Sequence, residues 1–380
     1  MDKGWRRGSA WRTLAAGAAL LGCVAGWQPP AVAGSDHVVF PYAGDYLLLA
    51  LPEGTVGSLT YNGWRHGDEF IQNSNNLFGA TGHPKHMDAD VGVYAFAERL
   101  AYLTSFLGHP LALEVAIPYA AVTEAKLETV SPVTVNDGLL DIDLFFDYGL
   151  IVEPKNQRYL DITNNFIVPT GNYDKFKTLN LSTPNQFTYL PLLALNEGLA
   201  KYGIQNFWLD IYAQAAFHSD GDSPFAIRGV GQFNKLTQDN SYDLQALIRY
   251  TWEPENVAFV AIGIEKSWGG NQVASGGLLG LPPSLGGLGP KSLLEDNYWK
   301  LHLQAQYPLS KDFFLAGDIT HDFERVGGVR EDFTAEIRIN KLFLPASPPV
   351  HPRTTSRHHP SARRSGMGTF SARRRRTSLA

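Results

Sequence analysis

The sequence predicts an all-β protein: a closed antiparallel transmembrane up-and-down β-barrel of about 12 strands, with long extracellular loops and short periplasmic turns. Three observations predict this fold. Apolar and polar residues alternate with a period of two in segment after segment. The gaps between these segments are alternately short and long. A leader for export is followed by no uncharged apolar run of the roughly 18 residues that a membrane-spanning helix needs.

The leader, residues 1–33, has the three parts of a secretory signal peptide. Its first 12 residues are basic, residues 13–27 are uncharged and rich in Ala and Leu, and a small-x-small cleavage site ends at Ala33. We therefore expect export, followed by a barrel over residues 34–344. Two alternatives are a lipoprotein-type site at Cys23 and an uncleaved anchor.

The alternation is clearest in residues 140–148. One face is wholly apolar, and it is formed by Leu140, Ile142, Leu144, Phe146 and Tyr148. The other face holds Asp141, Asp143 and Asp147, with Phe145 as the exception. Three carboxylates on one face exclude a dry core, so this strand must lie between an apolar medium and a wet interior.

About twelve segments share this pattern, most of them near the 9–11 residues of a tilted transmembrane strand. They are residues 54–63, 91–106, 111–122, 138–150, 158–168, 186–199, 205–217, 241–252, 256–266, 297–307, 313–322 and 332–343. Gaps after even-numbered segments resemble turns, whereas gaps after odd-numbered segments are mostly long. An even strand number leaves both ends of the barrel on the short-turn, periplasmic side.

The last segment ends on the in-phase aromatic Phe343, which resembles the C-terminal signal recognised by the barrel-assembly machinery. Residues 345–380 lack periodicity and carry eight Arg and no acidic residue, so we predict a disordered basic tail. A frameshifted or read-through terminus is the preferred interpretation of this tail. The alternative is a polybasic tail that binds anionic lipid or peptidoglycan.

Charge and composition exclude several functions. Of the 32 basic residues, four lie in the leader and eight in the tail, and only one of the 37 acidic residues lies in either. The 20 basic and 36 acidic residues that remain make residues 34–344 acidic, which argues against a nucleic-acid partner. The only cysteine is Cys23, and no catalytic motif or metal-ligand pair stands out, so we expect no enzyme, no cofactor and no bound metal.

Charged residues in the wet phase of the strands are candidates for lining the lumen. They are Asp141, Asp143, Asp147, Asp161, Asp210, Asp243, Arg249, Glu265, Lys300, His302, Asp318, Glu336 and Arg338. Because acidic residues dominate, the set favours a pore for cations or neutral solutes. The alternative is that these groups only pair with one another inside a narrow barrel. The Gly-rich residues 269–289 could fold inward as a plug or cap the mouth.

The stretch after the fifth segment holds Pro169, Gly171, Tyr173 and Asp174 at fixed offsets. It is interpreted as a strand exit with a tight turn, or as a motif that orders a pore-constricting loop. Together with residues 51–55 (Leu-Pro-Glu-Gly-Thr) and the strand over 137–148, it resembles the outer-membrane family known for the meta-cleavage pathway of phenol degradation. The resemblance covers roughly residues 45–343. The Asn-rich, Trp-containing stretch usual after this motif is represented here by Asn180, Asn185 and Phe187.

The resemblance implies a porin-like outer-membrane channel for passive uptake of small solutes, such as aromatic (phenolic or hydrocarbon) ones. The expected partners are outer-membrane lipid, the barrel-assembly machinery and the solute. Two other functions stay open: a closed barrel with a structural or surface role, and an exported soluble β-barrel that binds a ligand.

Overall fold

A computed structural model describes residues 41–72, 85–127, 134–174, 179–222, 235–253, 258–275, 291–292 and 297–345. The predicted signal peptide, residues 1–33, and all but the first residue of the predicted tail lie outside this part of the chain. No helix within the described residues is long and apolar enough to cross a membrane.

Twelve antiparallel strands form the barrel, and each is hydrogen-bonded to the strands before and after it in the chain. They are β1 (Val56–Gln72), β2 (Lys85–Phe106), β3 (His109–Leu127), β4 (Ile142–Glu153), β5 (Arg158–Val168), β6 (Thr188–Gly198), β7 (Phe207–His218), β8 (Ser241–Glu253), β9 (Ala258–Gly269), β10 (Asn297–Ser310), β11 (Phe313–Val326) and β12 (Gly328–Phe343). β12 pairs with β1, with Phe343 opposite Val56, so the sheet closes on itself. The predicted fold class and the strand number are confirmed.

The connections alternate as expected, except that β11 and β12 are joined by Gly327 alone at the end where the loops are long. Leu107 and Gly108 form a two-residue turn between β2 and β3, and both have positive φ, the conformation that tight hairpins require. Lys311 and Asp312 make an equally short turn between β10 and β11. Several strands are longer than predicted, and β1 continues to Gln72 rather than ending at residue 63. The sequence pattern breaks there because paired strands that extend beyond a membrane no longer need an apolar outer face.

Short paired segments outside the barrel join the long loops to one another. Lys235–Gln238, Gln272–Ser275 and Lys291–Ser292 form a small antiparallel sheet, and Val135–Asn136 pairs in parallel with Leu179–Asn180. Most of residues 269–289, the suggested plug or cap, lies outside the described residues. Of the part that is described, Gly269 ends β9 and Gln272–Ser275 belongs to this small sheet.

The outer face of the barrel carries an apolar belt that is continuous across neighbouring strands. Ile248, Ile262, Leu303 and Ile319 lie side by side on β8 to β11, and each is about half exposed. The residues that alternate with them along each strand, such as Arg249 and His302, are buried inside the barrel. A continuous exposed apolar belt is unfavourable in water but is matched by lipid.

Aromatic residues lie at both edges of this belt. Tyr242 stacks on Trp268 at the long-loop edge, with 5.9 Å between ring centroids. Phe207 packs on Tyr250 near the short-turn edge, at 5.1 Å. At a rise of about 3.3 Å per residue and a tilt of about 40°, the stretch from Tyr242 to Trp252 covers about 25 Å along the barrel axis. This height equals that of the apolar band of outer-membrane barrels.

Placing a charge in the middle of the belt is expected to destabilise the barrel. Ile262→Arg should lower the free energy of unfolding in lipid by about 2–4 kcal/mol, because an arginine at the membrane midplane has no polar partner. Leu309→Arg is the matched control, since Leu309 is equally exposed but lies near the short turn after β10, where a cost of about 0–1 kcal/mol is expected. Urea titration in lipid vesicles measures both values. Equal effects of the two substitutions would contradict this membrane position.

Candidate functional site in the barrel lumen

Residues 41–51, which we call the lumenal segment, precede β1 and lie inside the barrel. Tyr42, Ala43, Tyr46 and Leu49 are all buried. The segment contains a 3-10 helix, Asp45–Ala50, that begins after Gly44 in a left-handed conformation, with φ of 76°. A side chain at Gly44 would also press on Arg249, because its Cβ would lie 3.0 Å from the central carbon of the guanidinium. Pro52 then ends the helix and Gly54 turns the chain into β1.

Polar contacts attach the lumenal segment to several sides of the barrel. Arg338 on β12 binds the Asp45 carboxylate through two nitrogens, at 2.7 and 2.8 Å. The Tyr212 hydroxyl on β7 accepts a hydrogen bond from the Gly44 amide at 3.1 Å and donates one to the Tyr42 carbonyl at 3.0 Å. The Thr163 hydroxyl on β5 donates to the Tyr46 hydroxyl at 3.0 Å. The segment therefore crosses the lumen, and the sequence analysis did not predict it.

One half of the lumen holds a network around two arginines. Arg99 binds Glu114, lies 3.5 Å from Asp147, and packs over the Phe145 ring. This contact explains why an aromatic residue interrupts the acidic face of β4. Further round the barrel, Arg249 donates to both oxygens of Asp210, at 2.7 and 3.0 Å.

The other half holds a second network on β9 to β12. His302 lies between Glu265 and Asp318, with ring nitrogens 2.8 and 2.9 Å from the two carboxylates. Lys300 donates to Glu331 at 3.0 Å. Such pairing is costly to break, because each partner would be left as an isolated charge in a poorly hydrated interior.

All thirteen charged residues suggested as lumen-lining are at least partly buried. Eleven of them are buried, and Asp243 and Glu336 are intermediate. Most of the buried ones are paired, which corresponds to the paired interior rather than to an open acidic ring. Other charged groups of the same interior were not predicted from the sequence, namely Arg99, Glu114, Asp322, Arg325 and Glu331. Glu331 and Arg325 were missed because β11 and β12 were predicted too short.

A cavity remains between the lumenal segment and the wall formed by β1 to β7 and β12. Its empty space, counted together with the solvent at its open side, is about 810 Å³. Its walls are mostly apolar, and they include Leu49, Leu51, Leu59, Leu103, Leu192 and Leu342. Its polar lining includes Arg99, Asp147 and Asn165. Mostly apolar walls with a few convergent polar groups are typical of sites for small molecules.

The stretch that contains Pro169, Gly171, Tyr173 and Asp174 joins the long loops together. The Asp141 carboxylate accepts hydrogen bonds from the Gly171 and Thr183 amides, both at 2.8 Å. A Cβ at Gly171 would collide with Ser182 and with the Leu140 and Asp141 backbone, so only glycine fits there. Asp141 thus serves the loops at the mouth of the barrel.

Tyr173 and Asp174 extend the same loop assembly. The Tyr173 hydroxyl donates to the Asp222 carbonyl at 3.3 Å, and burial, with the nearby Asp222 carboxylate, raises the pKa of this hydroxyl above its usual range. The Asp174 amide donates to Asn180 at 3.0 Å. Among the described residues, no group of three His, Cys, Asp or Glu side chains is placed to hold a metal ion.

No protein-family model matches the chain, and no curated protein matches it. Among solved structures, the crystal structure of an outer membrane channel from Pseudomonas putida F1 is similar with a TM-score of 0.64 and 21% identity, over 80% of this chain and 100% of that chain. The NanC porin has a TM-score of 0.36 and 10% identity, over 76% of this chain and 99% of that chain.

A deletion mutant of the TodX monoaromatic hydrocarbon channel has a TM-score of 0.35 and 11% identity, over 78% of this chain and 90% of that chain. Of these three, the Pseudomonas putida channel is similar enough to define a shared architecture. The fold of this chain is that of an outer-membrane β-barrel.

Proposed function

We propose that the protein is an outer-membrane channel for the passive entry of small, largely apolar solutes. The observation that carries the proposal is the mostly apolar cavity between the lumenal segment and the barrel wall. A water-filled pore for ions would be wide and polar along its length. Here most of the charged groups are paired with one another, and seven of the residues that line the remaining space are leucines.

Aromatic solutes, phenolic or hydrocarbon, are the class within this proposal. They come from the sequence resemblance to the family of the phenol meta-cleavage pathway, and the mostly apolar lining of the cavity is compatible with an aromatic ring. The exposed apolar belt and its aromatic edges support a location in the outer membrane. Export by the leader and insertion by the barrel-assembly machinery through the strand that ends at Phe343 complete the proposal.

Uptake by whole cells tests the channel function. A Gram-negative strain that carries the protein in its outer membrane should take up labelled phenol and toluene faster than the same strain without it. Membrane fractionation and heat-dependent mobility on gels establish that the folded barrel is present in the outer membrane. Equal uptake by the two strains, with the barrel present, would contradict the channel function.

A second function is favoured by one observation, the filling of the lumen by residues 41–51. A barrel closed in this way could serve a structural or surface role without passing solutes. This function predicts neither solute uptake nor conductance for the full-length chain.

A further inference from the structure

The polar wall of the cavity contains two buried oxygen atoms that no described residue satisfies. They are Oδ1 of Asp147 and Oδ1 of Asn165, and both residues line the cavity. Asp147 is 4% exposed and Asn165 is 6% exposed. Buried polar atoms almost always have a hydrogen-bonding partner, so the two oxygens indicate a missing donor.

The charge of the same wall points to the same kind of ligand. Arg99 is shared between the Glu114 and Asp147 carboxylates. The third carboxylate at the cavity, Asp45, is bound by Arg338. One arginine therefore serves two carboxylates, so the charged groups of the wall carry an excess of negative charge, while Thr163 and Gln214 add uncharged polar groups to the same lining. An anion or a ligand with acceptors alone is disfavoured at such a wall.

The rest of the cavity restricts the ligand further. Leu49, Leu103 and Leu192 belong to one buried apolar cluster that forms part of the wall. Phe145 adds an aromatic face beside Arg99. A ligand that fills this space must be mostly apolar and must present its polar group at one end.

We infer that the cavity is a binding site for a small, mostly apolar molecule with one hydroxyl group, whose hydroxyl donates a hydrogen bond to Asp147 or Asn165. The inference rests on the proposed function, because it takes the cavity to lie on the path of the solute through the barrel. It adds a rule of selectivity: a molecule with a hydrogen-bond donor binds more tightly than an equally apolar molecule without a donor. A site built to hydrogen-bond a hydroxyl rejects an analogue without it, because its own buried groups are then left unpaired.

Fluorinated aromatic probes of similar size test this rule. The full-length protein in nanodiscs is titrated with 4-fluorophenol, 4-fluoroanisole and 4-fluorobenzoate, and binding is followed by fluorine NMR. We expect 4-fluorophenol to bind about tenfold tighter than 4-fluoroanisole, and 4-fluorobenzoate to bind weakest. Protein-free nanodiscs correct each titration for partitioning into lipid.

Three variants assign the preference to the two oxygens. Asn165→Leu and Asp147→Asn should each reduce the preference for the phenol several-fold. Asp161→Asn is the matched control, because Asp161 is also fully buried on β5 with both carboxylate oxygens unpartnered among the described residues, yet it does not line the cavity. Heat-dependent mobility verifies that each variant is folded. If Asp147→Asn does not fold, Asn165→Leu still tests the preference, because it leaves the Arg99 network intact.

Equal affinity for 4-fluorophenol and 4-fluoroanisole would overturn the inference, and would indicate that water satisfies the two oxygens. A preference that is unchanged in both Asn165→Leu and Asp147→Asn would also overturn it. The proposed function and this inference can fail separately. Selective binding without faster uptake by cells would contradict the channel function and keep the binding site. Faster uptake without selective binding would contradict the binding site and keep the channel function.

Discussion

Deleting residues 41–50 is expected to raise the single-channel conductance of the barrel about tenfold, because the deletion removes the chain that crosses the lumen. Twelve strands spaced about 4.8 Å apart and tilted by about 40° place the backbone about 12 Å from the barrel axis. Without the lumenal segment, that width leaves room for a continuous water-filled path past the wall side chains. Planar-bilayer recordings of the deleted and full-length proteins measure the change.

Single substitutions distinguish the effect on conductance of the ion pair that anchors the lumenal segment from effects on the barrel itself. Asp45→Ala removes the partner of Arg338 on β12, and it should give a noisy conductance between those of the full-length and deleted proteins. Asp312→Ala is the control, because it removes an ion pair to Lys341 on the same strand but lies in a turn outside the lumen. An unchanged conductance in the deleted protein would show that residues 41–50 do not block the path.

Asp210→Ala is expected to lower the free energy of unfolding of the barrel by about 3–5 kcal/mol, because it leaves the Arg249 guanidinium buried and uncompensated. Both side chains are almost fully buried. Asp210 also accepts a hydrogen bond from Asn196 at 2.7 Å, so a second polar group loses its partner. Urea unfolding in lipid vesicles, followed by tryptophan fluorescence, measures the loss.

Two further variants test the cause. Asp210→Leu combined with Arg249→Met should recover most of the stability, because an apolar pair carries no unmet charge. Asp220→Ala is the matched control: it removes the pair with Lys235, whose side chains are about half exposed, and it should leave the unfolding midpoint unchanged. Failure of the double variant to recover stability would mean that the charges themselves, rather than their pairing, are needed.

The architecture could be predicted from sequence because a barrel in lipid imposes a local rule on every strand. The alternation in residues 140–148 reflects lipid on one side and a wet interior on the other, and each strand repeats it independently. Gap lengths carry the second rule, since only one end of the barrel has long loops. These signals need no knowledge of which residues meet across the lumen. They are weakest at strand ends beyond the membrane, and it was there that the predicted limits were wrong.

The lumenal segment could not be predicted in the same way. Its eleven residues have no periodicity, and its partners are distant in sequence: Tyr42 bonds to Glu336, 294 positions away. The pairing of Arg249 with Asp210 and of His302 with Glu265 likewise depends on barrel geometry. One local signal was present, the aromatic Phe145 within an otherwise acidic face, because Arg99, two strands away on β2, covers it.

The position of Arg338 on the closing strand has a consequence for biogenesis. β12 is the last strand to be synthesised, and it completes the barrel by pairing with β1. The same strand presents Arg338 and Glu336, which hold the first described residues of the chain. The lumenal segment is therefore made first, and although it can contact Thr163 and Tyr212 earlier, its contacts with β12 form only at the final stage of assembly. Closure of the barrel wall and full attachment of the segment that fills the lumen then occur together.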